Sequence, residues 1–278
     1  GAVMHNVALA LKQNGHDVSG SDDEIFEPSR SRLEKAGLLP QKMGWDENHI
    51  TRDLDLVILG MHAREGNPEL ERAEELGIEI VSFPEYVAEH SREKIRVVVA
   101  GSHGKTTTTA MIMHVLKEQG LDFDYLVGSQ LDGFETMVRF SDAPVIVIEG
   151  DEYLSSALDR RPKFLWYRPH YAIITGVAWD HINVFPTFEN YEKQFQLFAD
   201  TLSPGGSVYY YQHDQSLQKI VKNRSDEQFV PYEAPEYSVV KGKNRITVDD
   251  QHYETNVVGK HNLENLMAAL HICVKLGI

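Results

Sequence analysis

The stretch "IRVVVAGSHGKTTTT", residues 95–109, constrains this chain more than any other. It opens with β-branched residues suited to a buried strand and continues through a turn containing Gly101 and Gly104. Thr108, Ile112, Val115 and Leu116 then recur at the spacing of one helix face. Strand, glycine-rich turn and helix in that order make a parallel α/β unit, and in that context Gly-Lys-Thr reads as a phosphate loop. Backbone N–H groups across Gly101, Ser102, His103 and Gly104 would face an anion. Lys105 would neutralise it, Thr106 would offer its hydroxyl to a magnesium ion, and Thr107 would lie near a phosphate. The glycine such loops usually carry five residues before Gly104 is absent, since Val99 stands there.

The rest of the chain extends the same pattern. Met4 to Gln13 predicts a helix, His16 to Gly20 a short strand, Arg30 to Ala36 a helix and Leu54 to Leu59 a buried strand. "NPELERAEELG" is a helix with Pro68 in its first turn and Gly77 past its end, and Glu79 to Ser82 is a strand. The polar stretch "AEHSREK" precedes the phosphate-loop strand, which sets a domain boundary near Arg92. Residues 1–92 are expected to form a Rossmann-like domain that starts partway through its first unit. Residues 93–278 are expected to form a P-loop domain with a parallel sheet. After Pro204, "SVYYYQ", "RITVDD" and "YETNVVG" predict a small antiparallel addition, followed by a last helix from Asn262 to Lys275.

Charge and composition exclude several classes of function. Twenty-seven basic against 42 acidic residues give a net charge of −15, which repels nucleic acid and anionic lipid. No apolar run approaches the roughly 20 residues of a membrane helix. With a single cysteine, Cys273, and no leader pattern, a cytoplasmic protein is expected.

Two further strand ends carry chemistry. "VIEGDEY" places Glu149, Asp151 and Glu152 where α/β sheets bind ligands, with Glu149 the candidate metal ligand. "AWDHINVFP" follows another buried strand and offers His181 as a second metal ligand. Acids after a strand also occur in plain solvated turns, and a lone histidine there is often structural. In the first domain, "GSDD" puts Ser21 and Asp22 at a strand end about 20 residues after Gly1, the spacing at which dinucleotide folds place an acid near a ribose. His62 and Arg64 lie at another strand end, where Arg64 is equally a candidate for a solvated loop.

Together these motifs resemble the Mur ligase family, which builds peptides on UDP-N-acetylmuramic acid. "GSHGKTTTT" resembles its short phosphate loop, "EGDEY" its acidic motif, "DHINVFP" its Asp-His motif and "GKHNLENLMAAL" its adenine motif. The resemblance implies that Lys105 and Thr106 meet ATP phosphates and a first Mg2+ completed by Glu149, that His181 holds a second Mg2+, and that Asn262 and Asn265 meet adenine with His261 supporting the turn. Helix capping by Asn262 is compatible with that role. It implies catalytic roles for Lys105, Glu149 and His181. UDP-N-acetylmuramate is implied near Gly1, Ser21, Asp22, His62, Arg64, His103, Asp151 and Glu152. The implied reaction is ATP-dependent amide formation through an acyl phosphate.

Within the family, "DEYLSSALDRRPKFLWYRP" implies the murein tripeptide L-Ala-gamma-D-Glu-meso-diaminopimelate as the incoming amine, with L-alanine as the alternative. A third, C-terminal domain is implied and is not part of this sequence, and a monomer or weak homodimer is expected. A small-molecule kinase and a non-catalytic nucleotide-binding module are the rival classes. Lys193 does not clearly match the carbamylated lysine of many members.

Overall fold

The computed structural model describes every residue except 1, 62, 223, 226 and 241. The expected roles of Gly1 and His62 therefore lie outside the described residues. The largest feature is a seven-stranded sheet ordered β5-β4-β6-β3-β7-β8-β9. Its strands are β3 (Ile95–Ala100), β4 (Asp124–Leu126), β5 (Val138–Arg139), β6 (Val145–Glu149), β7 (Tyr171–Ile174), β8 (Ser207–Tyr211) and β9 (Phe229–Tyr232). Every neighbouring pair is parallel except β4 with β5.

The valine run explains why β3 is central. Val97, Val98, Val99 and Ala100 are all fully buried. Val97 and Val99 face one core with Ile112, Met113 and Leu116 of α5 (Lys105–Glu118) and Ala268, Ala269 and Ile272 of α8 (Lys260–Lys275). Val98 and Ala100 face the other, with Phe195 and Phe198 of α6 (Phe188–Asp200). A strand covered on both faces needs a continuous apolar run, which this sequence supplies.

Among the described residues, the first 90 add a two-stranded parallel sheet, β1 (Leu56–Leu59) with β2 (Glu79–Ser82), and four α-helices: α1 (Ala2–Gln13), α2 (Ser29–Lys35), α3 (Pro68–Leu76) and α4 (Phe83–His90). Asn67 caps α3 by accepting from the N–H groups of Glu69 and Leu70, and Gly77 closes it in the left-handed region. Ser82 and Glu85 form a reciprocal capping box on α4. Val7 and Ala10 of α1 and Phe83 and Val87 of α4 enter the core of the large sheet. Among the described residues, no helix is long and apolar enough to cross a membrane.

Two expectations need correction. Residues 16–20, His-Asp-Val-Ser-Gly with Val18 as the sole large apolar side chain, form no strand. "SVYYYQ" is not part of the antiparallel addition: β8 pairs in parallel with both β7 and β9. The antiparallel addition is a separate three-stranded sheet of β10 (Glu236–Val240), β11 (Lys243–Val248) and β12 (Gln251–Thr255).

On β4, next to the edge strand β5 of the large sheet, a buried ion pair fastens the segment between α4 and β3. Lys94 Nζ lies 2.8 Å from Asp124 Oδ2, with the two side chains 9% and 0% exposed. Ser141 donates to Asp124 through its hydroxyl and its N–H, and His90 Nε2 lies 3.4 Å away. Asp124→Ala should cost about 3 kcal/mol, because it strands a buried ammonium group. Burial alone would raise the Asp124 carboxyl, but hydrogen bonds from His90, Lys94 and Ser141 outweigh it and hold the group below its ordinary value. The stabilisation is therefore present above the unfolded-state pKa and lost as pH falls through the lower folded-state value. Urea unfolding should show a stability gap between wild type and variant that is full at neutral pH and narrows in acid.

Candidate nucleotide and metal site

Three neighbouring strands of the sheet end side by side, and the chain leaving each carries part of one polar cluster. Beyond β3, Gly101 adopts φ +125°, and a Cβ there would sit 2.1 Å from Thr175 Oγ1 and 2.7 Å from Thr175 N. The backbone approaches so closely because Thr175 N–H donates to Ala100 O and Ser102 N–H to Gly176 O. The Thr175 hydroxyl also donates to His103 O. Gly104 starts α5 at φ +76°, where a Cβ would meet Asn265 Oδ1 at 2.5 Å. No side chain caps α5, so its first-turn N–H groups and the positive end of its dipole remain open to an anion.

Lys105 curls back over the loop, donating to Gly101 O at 2.6 Å, with its ammonium 3.3 Å from Glu152 Oε2. Thr106 donates its hydroxyl to Glu149 Oε1 at 2.9 Å, and Gly128 N–H donates to Glu149 Oε2 at 3.1 Å. The phosphate loop and the acidic motif after β6 are thus joined at both Lys105 and Thr106. Glu152 is 1% exposed. Its Oε1 accepts from the Tyr191 hydroxyl at 2.8 Å and lies 3.7 Å from His181 Nε2. His181 adopts φ +53°, its carbonyl accepts from the N–H groups of Val184 and Phe185, and its ring packs edge-on against Tyr153.

Ligand atoms of Glu152, Asp180 and His181 all lie within 4.8 Å of one another. Two carboxylates and an imidazole converging this closely fit a divalent cation, and Thr106 with Glu149 offers a second oxygen pair beside Lys105.

The remaining sequence-derived residues have separate surroundings. Asp151 is engaged by Lys163; burial alone would raise its carboxyl, but Lys163 and the Tyr153 N–H hold it below its ordinary value. Ser21 donates to Glu69 Oε1 at 2.7 Å, and Arg64 is exposed, so the structure does not join these two to the cluster. Asp22 accepts through its carbonyl from Gly44 N–H. At the start of α8, the Asn262 side chain donates to Val258 O, the His261 side chain is 96% exposed with Nδ1 3.0 Å from Glu264, and Asn265 packs against Gly104. His103 and Thr107 are exposed beside the loop, and Lys193 is exposed on α6.

Four contributors were not singled out from the sequence: Gly128, Thr175, Asp180 and Tyr191. Asp180 had a signal, being adjacent to His181, and Thr175 directly follows the apolar run of β7. Gly128 and Tyr191 act through contacts far apart in the chain.

Comparison with known proteins places these residues in context. The family model described as Mur ligase middle domain matches residues 99–273, and that described as Mur ligase family, catalytic domain matches residues 1–95. A UDP-N-acetylmuramate L-alanyl-gamma-D-glutamyl-meso-2,6-diaminoheptandioate ligase of Haemophilus influenzae is 30% identical over all of this chain and 63% of its own length. A UDP-N-acetylmuramate L-alanine ligase of Syntrophomonas wolfei is 31% identical over all of this chain and 61% of its own. The chain thus spans just over three fifths of these relatives. The crystal structure of a UDP-N-acetylmuramate:L-alanyl-gamma-D-glutamyl-meso-diaminopimelate ligase from Neisseria meningitides superposes with a TM-score of 0.88 at 26% identity, covering all of this chain and 91% of that one.

The close approach at Gly101 makes a direct test of the loop. Gly101→Ala forces a side chain into Thr175 at a backbone angle that L-residues rarely adopt, and should lower the unfolding free energy by about 2 kcal/mol or more in a denaturant titration.

Proposed function

The chain belongs to the Mur ligase family, and on that premise we propose that it carries the nucleotide-binding and sugar-nucleotide-binding parts of an ATP-dependent amide ligase. The reaction joins the tripeptide L-Ala-gamma-D-Glu-meso-diaminopimelate to UDP-N-acetylmuramate, as in peptidoglycan recycling. Residues 1–92 hold UDP-N-acetylmuramate, and residues 93–278 hold ATP. The observation that carries this reading is the convergence of Lys105, Thr106, Glu149, Glu152 and His181 on one connected network at three adjacent strand ends.

The chemistry follows from charge. A carboxylate must attack the γ-phosphorus of ATP and displace ADP, and two anions repel each other. Lys105 swings from Glu152 to the phosphates and offsets their charge, while the open N–H groups of α5 hold the phosphate chain in place. Thr106 with Glu149, and His181 with Glu152, would hold magnesium, which would supply electrostatic stabilisation to the phosphoryl group in transfer. The resulting acyl phosphate is attacked by the amine of the incoming peptide, and phosphate leaves. Asn262 and Asn265 take the adenine at the start of α8, where Asn265 already touches the phosphate loop.

A second reading has its own support. The L-alanine ligase of Syntrophomonas wolfei is as similar in sequence as the tripeptide ligase of Haemophilus influenzae. Structural similarity to the Neisseria enzyme and the Asp151 to Pro169 segment favour the tripeptide. Offering tripeptide and L-alanine separately to the full-length protein while following ADP release separates the two, and turnover with L-alanine alone overturns the tripeptide assignment. Lys105→Ala should weaken ATP binding at least a hundredfold by calorimetry, on the order expected for removing a charge from a buried phosphate contact. Unchanged affinity would remove the phosphate-loop assignment.

A further inference from the structure

Tyr191 belongs to none of the motifs above, yet its phenol lies between the phosphate loop and the metal-ligand cluster. The side chain is fully buried on the first half of α6. Its ring meets Phe185 and Phe195 edge-on, with centroids 5.6 and 5.3 Å away. Phenylalanine would satisfy that packing equally well. A hydroxyl in such surroundings is costly unless it is bonded, and this one has two partners: Glu152 Oε1 at 2.8 Å and Ser102 Oγ at 3.0 Å.

A count of protons fixes the direction of the chain of bonds. Glu152, as a carboxylate, can only accept, so the single phenolic proton goes to it. Ser102 Oγ accepts from Ala178 N–H at 2.7 Å, and its single proton goes either to Ala178 O at 2.8 Å or to the Tyr191 oxygen at 3.0 Å.

We propose that Tyr191 is a positioning residue, whose hydroxyl holds Glu152 between Lys105 and His181 and thereby sets how the site takes up a magnesium-bound nucleotide. The proposal rests on the functional reading above. In this structure Glu152 has two supports, the Lys105 ammonium on Oε2 and the Tyr191 hydroxyl on Oε1. Once Lys105 turns toward a phosphate, the phenol is the neutral donor that stays. With Glu152 1% exposed, water has little room to replace it. The phenol then keeps Oε1 directed at His181 instead of letting the carboxylate follow the lysine.

Tyr191→Phe preserves the ring and removes only this donor. Calorimetry on this chain, with ADP as the probe in the presence and absence of magnesium, reads the effect. The gain in ADP affinity that magnesium confers should fall about tenfold, the order expected for losing a hydrogen bond to a charged group. ADP affinity without magnesium should stay at the wild-type value, while the thermal midpoint falls by a few degrees because a buried carboxylate loses a donor. A hydroxyl with a purely structural role would lower the midpoint and both affinities in proportion, leaving the gain from magnesium unchanged, and that result overturns the proposal. As a second check, Tyr191→Phe added to Glu152→Gln should lose no more than Glu152→Gln alone, because the phenol acts through that carboxylate. Wild-type magnesium dependence in Tyr191→Phe overturns the positioning role and leaves the functional reading standing. A wild-type chain whose ADP affinity ignores magnesium removes the reading, and the proposal with it.

Discussion

Everything at the candidate site depends on β3 lying hydrogen-bonded between two parallel strands, β6 and β7, with both faces buried. A strand enclosed in this way can release its chain only at the end, and there it meets the chains leaving its two neighbours. Gly150 N–H donates to Val99 O on one side, and Thr175 N–H donates to Ala100 O on the other. The three exits are thereby held within contact distance before any functional side chain is considered. A phosphate loop, an acidic turn and a histidine turn come together because the sheet leaves them nowhere else to go.

That enclosure sets the electrostatic character of the site. An acidic protein, with net charge −15, concentrates at this one place an ammonium group, an uncapped helix start and a pair of close backbone turns. The distributed surface charge is screened over about 10 Å of solvent. The local groups act across a few ångströms of protein, so they decide what the crevice attracts. Glu149 and Glu152 temper that positive field and give it a shape suited to an anion accompanied by a cation. Each glutamate already has a fixed partner on the phosphate loop, Thr106 for one and Lys105 for the other.

Much of this arrangement was legible in the sequence because its signals are local. The valine run, the two glycines and the helix stripe occupy one short stretch, so periodicity and turn chemistry suffice to place Lys105 and Thr106. Glu149 and His181 are readable for the same reason, each following a buried strand. Strand direction was less accessible: Ser207 to Tyr211 carries an apolar run, but only its neighbours β7 and β9 decide that it runs parallel. Residues 16–20 failed as a strand, with Val18 as their sole large apolar side chain. The Tyr191–Glu152 bond was hidden because it joins α6 to the turn after β6, and nothing in either segment announces the other.

The buried pair of Lys94 and Asp124 bears on how the two parts of the chain can move. The short segment after α4 is where a hinge would ordinarily sit, yet here it is tied down along its length. Ser91 is fully buried and bonds back to Val87 O, the carbonyls of Ser91 and Arg92 accept from the Arg96 guanidinium, and Lys94 is held by Asp124. The first helix is anchored separately, by Asn6 to Met137 N–H and by Asn14 to Phe140 O. Rotation of the first 90 residues as a rigid body would break both attachments at once. Motion of the first part against the second therefore has to break buried bonds at two separate places, not merely bend a linker.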